Sequence, residues 1–305
     1  MGGVAITRSQ SGIGLATCKQ LASSGRDVIG IDLPGRGAEV ECDLSIPEGR
    51  QRAIGAVLDR CGGILDGLVC NAGVDHAPDA QVLALNYFGA VDLLVGLREA
   101  LSRSSQPAAA VNLSNATLIT PDIPEDVVEA LLAGDQGRAL ALVKDHPGRA
   151  YATSTLALAR WVRRNAPAPG WAGRGITLNG VSPGPVTTGL VEQVLTAPFT
   201  GLWTLWSSVW SPYLRMPFLG DPAAGKAVEE LPCPLGRTTT PEQVAFLFDF
   251  LLSEKARFLV GQIISIDGGI EAAFRSDDWP AAWRVEPGKR VAVSESPPVG
   301  GPPRA

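Results

Sequence analysis

The stretch Thr7-Arg8-Ser9-Gln10-Ser11-Gly12-Ile13-Gly14 stands between a short apolar run and the first amphipathic run of the chain. Glycines in such a turn let the backbone approach a pyrophosphate, and the positive end of the helix that follows attracts it. Glycine turns that bind nothing use the same residues, so the turn alone is a weak sign. Asp32 closes the second apolar run, where a carboxylate accepts hydrogen bonds from the two hydroxyls of an adenosine ribose and repels a 2′-phosphate. Pro34 and Gly35 follow it, and an aspartate that only opens a turn would look the same. Together the two features point to a dinucleotide more firmly than either does alone.

Trp203, Trp206 and Trp210 recur at i, i+3 and i+7, one face of a helix. They read either as a lid over a flat or polycyclic ligand or as ordinary core or oligomer packing. Metal chemistry finds no support. Cys18, Cys42, Cys61, Cys70 and Cys233 contain no CxxC and show no ligand pairing with His76 and His146, the only histidines; they read as reduced packing residues.

The elements that must position these groups alternate in type. Val4–Ile6, Asp27–Ile31, Gly67–Cys70, Ala108–Leu113, Gly175–Val181 and Gln262–Ile266 read as short buried strands. Leu15–Ser24, Pro47–Cys61, Gln81–Arg103, Ala150–Arg164 and Pro241–Leu252 read as helices. This alternation predicts an α/β fold, a Rossmann-like doubly wound parallel sheet of about seven strands with helices on both faces. Residues 117–148 insert two further helices, Glu125–Leu132 and Gln136–Lys144. The expected organisation is one domain over 1–275, with that insertion and an aromatic substrate lid over 187–235. A Pro/Gly-rich extension over 276–305 follows, too poor in apolar surface to order itself alone.

A chain of 305 residues with 45% hydrophobic and 19% charged residues can bury a large core, which excludes a disulfide-stapled miniature. Its 26 basic residues against 31 acidic ones give a net charge of −5, and without a basic stripe no nucleic-acid partner is expected. The opening MGGVAITRSQ lacks the charged-then-apolar pattern of a signal segment, and no apolar run approaches about 18 residues. No membrane association and a cytoplasmic location are therefore expected.

The succession Thr7–Gly14, Asp32, Asp43-Leu44, Asn71-Ala72-Gly73, Asn86-Tyr87-Phe88-Gly89, Ser114, Tyr151, Pro183-Gly184 and Asp267-Gly268-Gly269 resembles the short-chain dehydrogenase/reductase family over about residues 1–275. The chain looks closest to the bacterial branch containing 3α-hydroxysteroid dehydrogenase/carbonyl reductase, because 37 positions separate Ser114 from Tyr151 and most members have far fewer. The resemblance implies cofactor contacts from Thr7, Arg8, Ser11, Gly12, Ile13, Gly14, Asp32, Asp43, Leu44, Asn71, Ala72 and Gly73. It adds the nicotinamide loop Pro183, Gly184, Val186, Thr187 and Thr188. It implies NAD(H) rather than NADP(H), and pairing into a homodimer or homotetramer through the helices at 81–103 and 150–164. The family's catalytic group of asparagine, serine, tyrosine and lysine carries over to Asn86, Ser114 and Tyr151.

Three departures leave alternatives open. The family's YxxxK ends here in Thr155, so the cation that lowers the tyrosine pKa is missing and base catalysis by Tyr151 at neutral pH loses driving force. Arg8 stands where the family has glycine; it must point away, clash with a pyrophosphate, or pair with it. Asn115 follows Ser114, and a shifted register puts that asparagine at the serine's place. Arg160, nine residues after Tyr151, lies about 900° further round the helix and cannot replace the lysine. Three functions therefore stand. One is an NAD(H)-linked oxidoreductase acting on a hydroxyl or ketone of a bulky hydrophobic molecule. The second is a non-redox cyclase, dehydratase or isomerase using Tyr151 and Ser114, with no nucleotide required. The third is a binding protein without catalysis.

Overall fold

The computed structural model describes residues 2–186 and 233–275. Seven short strands form one sheet: β1 (Gly3–Thr7), β2 (Val28–Asp32), β3 (Val40–Glu41), β4 (Leu65–Cys70), β5 (Ala108–Asn112), β6 (Thr177–Pro183) and β7 (Ile263–Ile266). They lie in the order β3-β2-β1-β4-β5-β6-β7, and every pairing is parallel. The central strands are runs of small and β-branched residues buried on both faces, as a sheet covered by helices demands. β3, two residues long, is the strand that sequence analysis lacks, because alternation cannot register over so short a span.

The described helices are α1 (Gly12–Ser23), α2 (Pro47–Arg60), α3 (Asp79–Leu83), α4 (Ala90–Leu101), α5 (Ala116–Ile119), α6 (Glu125–Leu132), α7 (Gln136–Leu142), α8 (Ala150–Asn165), α9 (Pro241–Leu251) and α10 (Ile270–Phe274). α1 and α9 cover one face, where Leu21, Val244 and Phe248 meet Val4, Ile6 and Ala110. α2, α4 and α8 cover the other, where Val57, Leu93, Leu97 and Leu158 meet Ala5, Leu68 and Val111.

The helix expected over Gln81–Arg103 is not continuous in its hydrogen bonding. A π-helical turn, Ala84–Gly89, separates α3 from α4. Such a turn adds a residue to the helix and swings its side chains out of register; here it carries Asn86. By length and composition Asp79–Leu101 could cross a membrane. Leu93, Leu94, Leu97 and Leu101 are instead buried in the core of the domain, so it is a core helix.

The insertion packs onto the sheet's helical layer. α6 buries Val127, Val128, Ala130 and Leu131 and lies along α8, and both oxygens of Glu125 accept from Arg160. The insertion thereby covers part of α8, one of the two helices through which pairing is expected. The expected lid, with Trp203, Trp206 and Trp210, lies outside the described residues except for 233–235, as does the extension over 276–305.

Arg50 ties α2 to both α4 and the insertion. Its side chain is 1% exposed, lies 3.2 Å from Asp92 and donates to Gln136 Oε1 at 3.2 Å. Removing one member of such a pair leaves the other without its countercharge. Arg50→Ala is expected to cost about 2–3 kcal/mol, less than a wholly buried pair because Asp92 keeps part of its water. Urea denaturation should read this as a lower midpoint at unchanged slope.

Candidate active site

Strand order reverses between β1 and β4, and the C-terminal ends of these strands open the crevice in which ligands of doubly wound sheets bind. Thr7 closes β1 with a buried side chain whose Oγ1 accepts from the N–H groups of Asn71 and Ala72 at 2.8 and 2.7 Å. Asn71 Nδ2 donates back to Thr7 O at 3.2 Å, and Asn112 Nδ2 donates to Asn71 Oδ1 at 3.1 Å. The ends of β1, β4 and β5 thus form one laced floor.

The glycine turn stands above it. Ser11 flanks α1 without a side-chain capping bond, and no acidic residue sits in the first turn, so the helix's leading N–H groups and positive end face the crevice unneutralised. A Cβ at Gly12 would meet nothing within 4 Å, whereas one at Gly14 would fall 1.9 Å from Arg8 O. Gly12 therefore leaves room for a ligand, and Gly14 lets the helix pack against the turn. Asp32 accepts from Gln10 N at 2.9 Å and from Leu33 N at 2.8 Å, one bond on each oxygen, which leaves lone pairs on both for ribose hydroxyls. These residues fit a dinucleotide. Asp43 uses Oδ1 to hold Ser45 N and Oγ at 2.8 and 2.7 Å, and Leu44 is buried.

At the far side of the crevice Pro183 ends β6, and Gly184 N donates to Ile266 O at 3.1 Å. A side chain at Gly184 would strike Asp267, and Val186 bridges to Thr239. Asp267, expected only as part of a motif, accepts from Gly269 N and Glu271 N at 3.1 and 2.8 Å and so caps α10. Thr187 and Thr188 lie outside the described residues.

Tyr151 occupies the first turn of α8, and the hydroxyl of Ser114, which follows β5, acts on its phenol. The neighbouring Asn115 is 5% exposed at the start of α5, with its Nδ2 unpartnered; Ser114, not Asn115, meets the phenol. Burial holds the Tyr151 phenol above its ordinary value of 10.0; the Ser114 hydrogen bond lowers it, Asp75 raises it and Arg8 lowers it.

Two expected groups are bonded to nearby backbone. Asn86 Oδ1 accepts from Val74 N at 2.9 Å, and its Nδ2 donates to Val74 O at 2.8 Å and to Ser154 Oγ at 3.4 Å. The amide therefore ties the loop after β4 to α8. Thr155 is buried, and its hydroxyl donates to Tyr151 O at 2.8 Å. It satisfies its own helix and brings no cation to the phenol. Arg8 takes a course that spacing left open: it donates from Nη1 to Gly73 O at 2.5 Å. Asp75 was missed, although it stands only two residues beyond Asn71-Ala72-Gly73. Among the described residues no cluster of His, Cys, Asp and Glu could hold a metal ion.

A glycine turn leading into an uncapped helix N-terminus, and a tyrosine on which Ser114 beyond β5 acts, belong to one doubly wound sheet, a layout that fits a nucleotide-dependent dehydrogenase. No protein-family model matches the chain. It is 36% identical over 281 residues to the 3-alpha-hydroxysteroid dehydrogenase/carbonyl reductase of Comamonas testosteroni, covering 89% of this chain and 97% of that one. It is 27% identical to the coniferyl-alcohol dehydrogenase of Pseudomonas sp. strain HR199, covering 89% and 97%. Among solved structures, the 3-alpha-hydroxysteroid dehydrogenase of Pseudomonas sp. B-0831 complexed with NADH superposes with a TM-score of 0.75 at 43% identity, covering 90% of this chain and 98% of that one. The chain belongs to the short-chain dehydrogenase/reductase family and is an oxidoreductase of that family.

Ser114→Ala removes the bond that favours the ionised phenol. Tyr151 should then titrate at still higher pH in an ultraviolet tyrosinate titration, and turnover should fall about 10²-fold.

Proposed function

We propose that the chain is a nicotinamide-dependent reductase of a carbonyl, or oxidant of the matching alcohol, on a bulky hydrophobic or polycyclic small molecule, with NAD(H) preferred over NADP(H). The observation that carries this reading is the uncapped α1 N-terminus, with Gly12 open to a ligand and one lone-pair site left on each Asp32 oxygen, at the end of the sheet where Ser114 follows β5 and acts on Tyr151. The names of the relatives support it, since one is a hydroxysteroid dehydrogenase and carbonyl reductase and another was crystallised with NADH.

In this reading Ser11, Gly12, Ile13 and Gly14 hold the pyrophosphate, Asp32 the adenosine ribose, and Pro183 with Gly184 the carboxamide end. The nicotinamide, when bound, supplies or accepts the hydride at the substrate carbon. Tyr151 supplies the matching proton to the substrate oxygen during reduction and removes it during oxidation. Ser114 orients that oxygen and the phenol together. A phenol held high by burial keeps its proton at neutral pH, so it serves as an acid without further help; as a base it must first lose that proton. The lid over 187–235 supplies the apolar cover, and one domain spans 1–275 with 276–305 as an extension. Cytoplasmic location and assembly into a homodimer or homotetramer complete the reading.

A second reading keeps Tyr151 and Ser114 but not the hydride: a cyclase, dehydratase or isomerase. It is favoured by Thr155, whose hydroxyl is spent on the helix backbone, and by Arg8 in the glycine turn.

Calorimetric titration should give tighter binding of NADH than of NADPH; tighter NADPH would overturn the role given to Asp32, and no binding of either would favour the second reading. With a polycyclic ketone, reduction should stay level through neutral pH while oxidation of the alcohol climbs with pH toward and beyond the ordinary phenol range. Tyr151→Phe should lower both by about 10²–10⁴.

A further inference from the structure

The two ends of the proposed dinucleotide site lie on opposite halves of the sheet. Asp32 closes β2, Gly184 follows β6, and the strand order places β1, β4 and β5 between them. A dinucleotide that reaches from one to the other must pass the loops leaving β1 and β4, where strand order reverses. One side chain bridges those loops. Arg8, the first residue after β1, donates from Nη1 to the carbonyl oxygen of Gly73, in the loop after β4, at 2.5 Å.

Both ends of this bridge are fixed. Before Gly73, the N–H groups of Asn71 and Ala72 are held by Thr7 Oγ1 at 2.8 and 2.7 Å; after it, Val74 is bonded through its N–H and its carbonyl to the Asn86 amide at 2.9 and 2.8 Å. The Arg8 backbone is just as confined. It holds the left-handed region, φ 55°, where a glycine rests easily and a residue with a Cβ does not. Its carbonyl oxygen also lies against the start of α1, where a Cβ at Gly14 would come within 1.9 Å of it. What can yield is the arginine side chain, which is exposed, as is its bond to Gly73.

We infer that Arg8 is a strap across the empty crevice, closed on Gly73 O and released when a dinucleotide enters. This rests on the dinucleotide site of the proposed function. An exposed hydrogen bond is exchanged for water at little net cost, so the strap opens readily and slows binding by the fraction of time it is shut. The sign of its effect sets it apart from a plain phosphate ligand. A guanidinium that only attracts the pyrophosphate speeds association, and its loss slows association. A strap does the opposite.

The test is stopped-flow binding of NADH to the full chain, followed by nicotinamide fluorescence. Two variants remove the strap: Arg8→Gly, which also relieves the left-handed backbone, and Arg8→Asn, which tolerates that backbone and is too short to reach Gly73. Each should raise the association rate constant about tenfold, as loss of a strap shut about nine-tenths of the time requires. In the nucleotide-free protein, hydrogen exchange through Gly73 and Val74 should quicken in both, and circular dichroism checks that both are folded. Association no faster than the parent's overturns the inference, and slower association makes Arg8 a phosphate ligand alone. If the parent binds NADH and the variants bind no faster, the strap falls and the redox reading stands. If Arg8→Gly binds NADH where the parent does not, the strap stands and the redox reading of the parent falls. Binding by none of the three overturns both.

Discussion

The hydroxyl of Thr7 accepts two backbone N–H groups from the neighbouring strand end, and the rest of the crevice depends on that junction. Where strand order reverses, the chains leaving β1 and β4 turn away from one another, and their first N–H groups lose ladder partners. A buried side-chain acceptor at that point supplies the missing partners without bringing in a water. It also fixes the height at which the glycine turn leaves β1 and the loop through Gly73 leaves β4. Gly14 packs under Arg8 because of that height, and Asp75 is carried toward Tyr151 by the same loop.

The fold was legible because its signals are local. Apolar runs of strand length alternate with amphipathic runs of helix length, and the insertion's first helix, Glu125–Leu132, has the same bounds in sequence and structure. What escaped was set by hydrogen-bond register or by long-range contact. The π turn at Ala84–Gly89 differs from α-helix by one residue of pairing and leaves no compositional mark. β3 is held by its partner β2 rather than by its own two residues.

In the crevice, residue types told more than residue partners. Asp32 and the bare helix end could be read from position, since strand ends and glycine turns are recognisable along the chain. Asn86 could not, because its amide is claimed by Val74, and the swing that brings it there comes from the π turn. Thr155 was visible as a missing charge, yet nothing in the spacing told that its hydroxyl returns to the helix. The course of Arg8 depends on where the loop after β4 ends up, a tertiary matter.

The proton on Tyr151 is governed first by burial, which holds the phenol above its ordinary value of 10.0, while the Ser114 hydroxyl after β5 works the other way. The two come from different parts of the fold: the cover over the first turn of α8, and the end of a central strand. A phenol held high keeps its proton at neutral pH, so in the proposed reaction it is ready as an acid and must first be deprotonated to act as a base. With Thr155 where a cation one turn along α8 would favour the tyrosinate, nothing on that helix turn offsets the burial, and the crevice suits reduction better than oxidation.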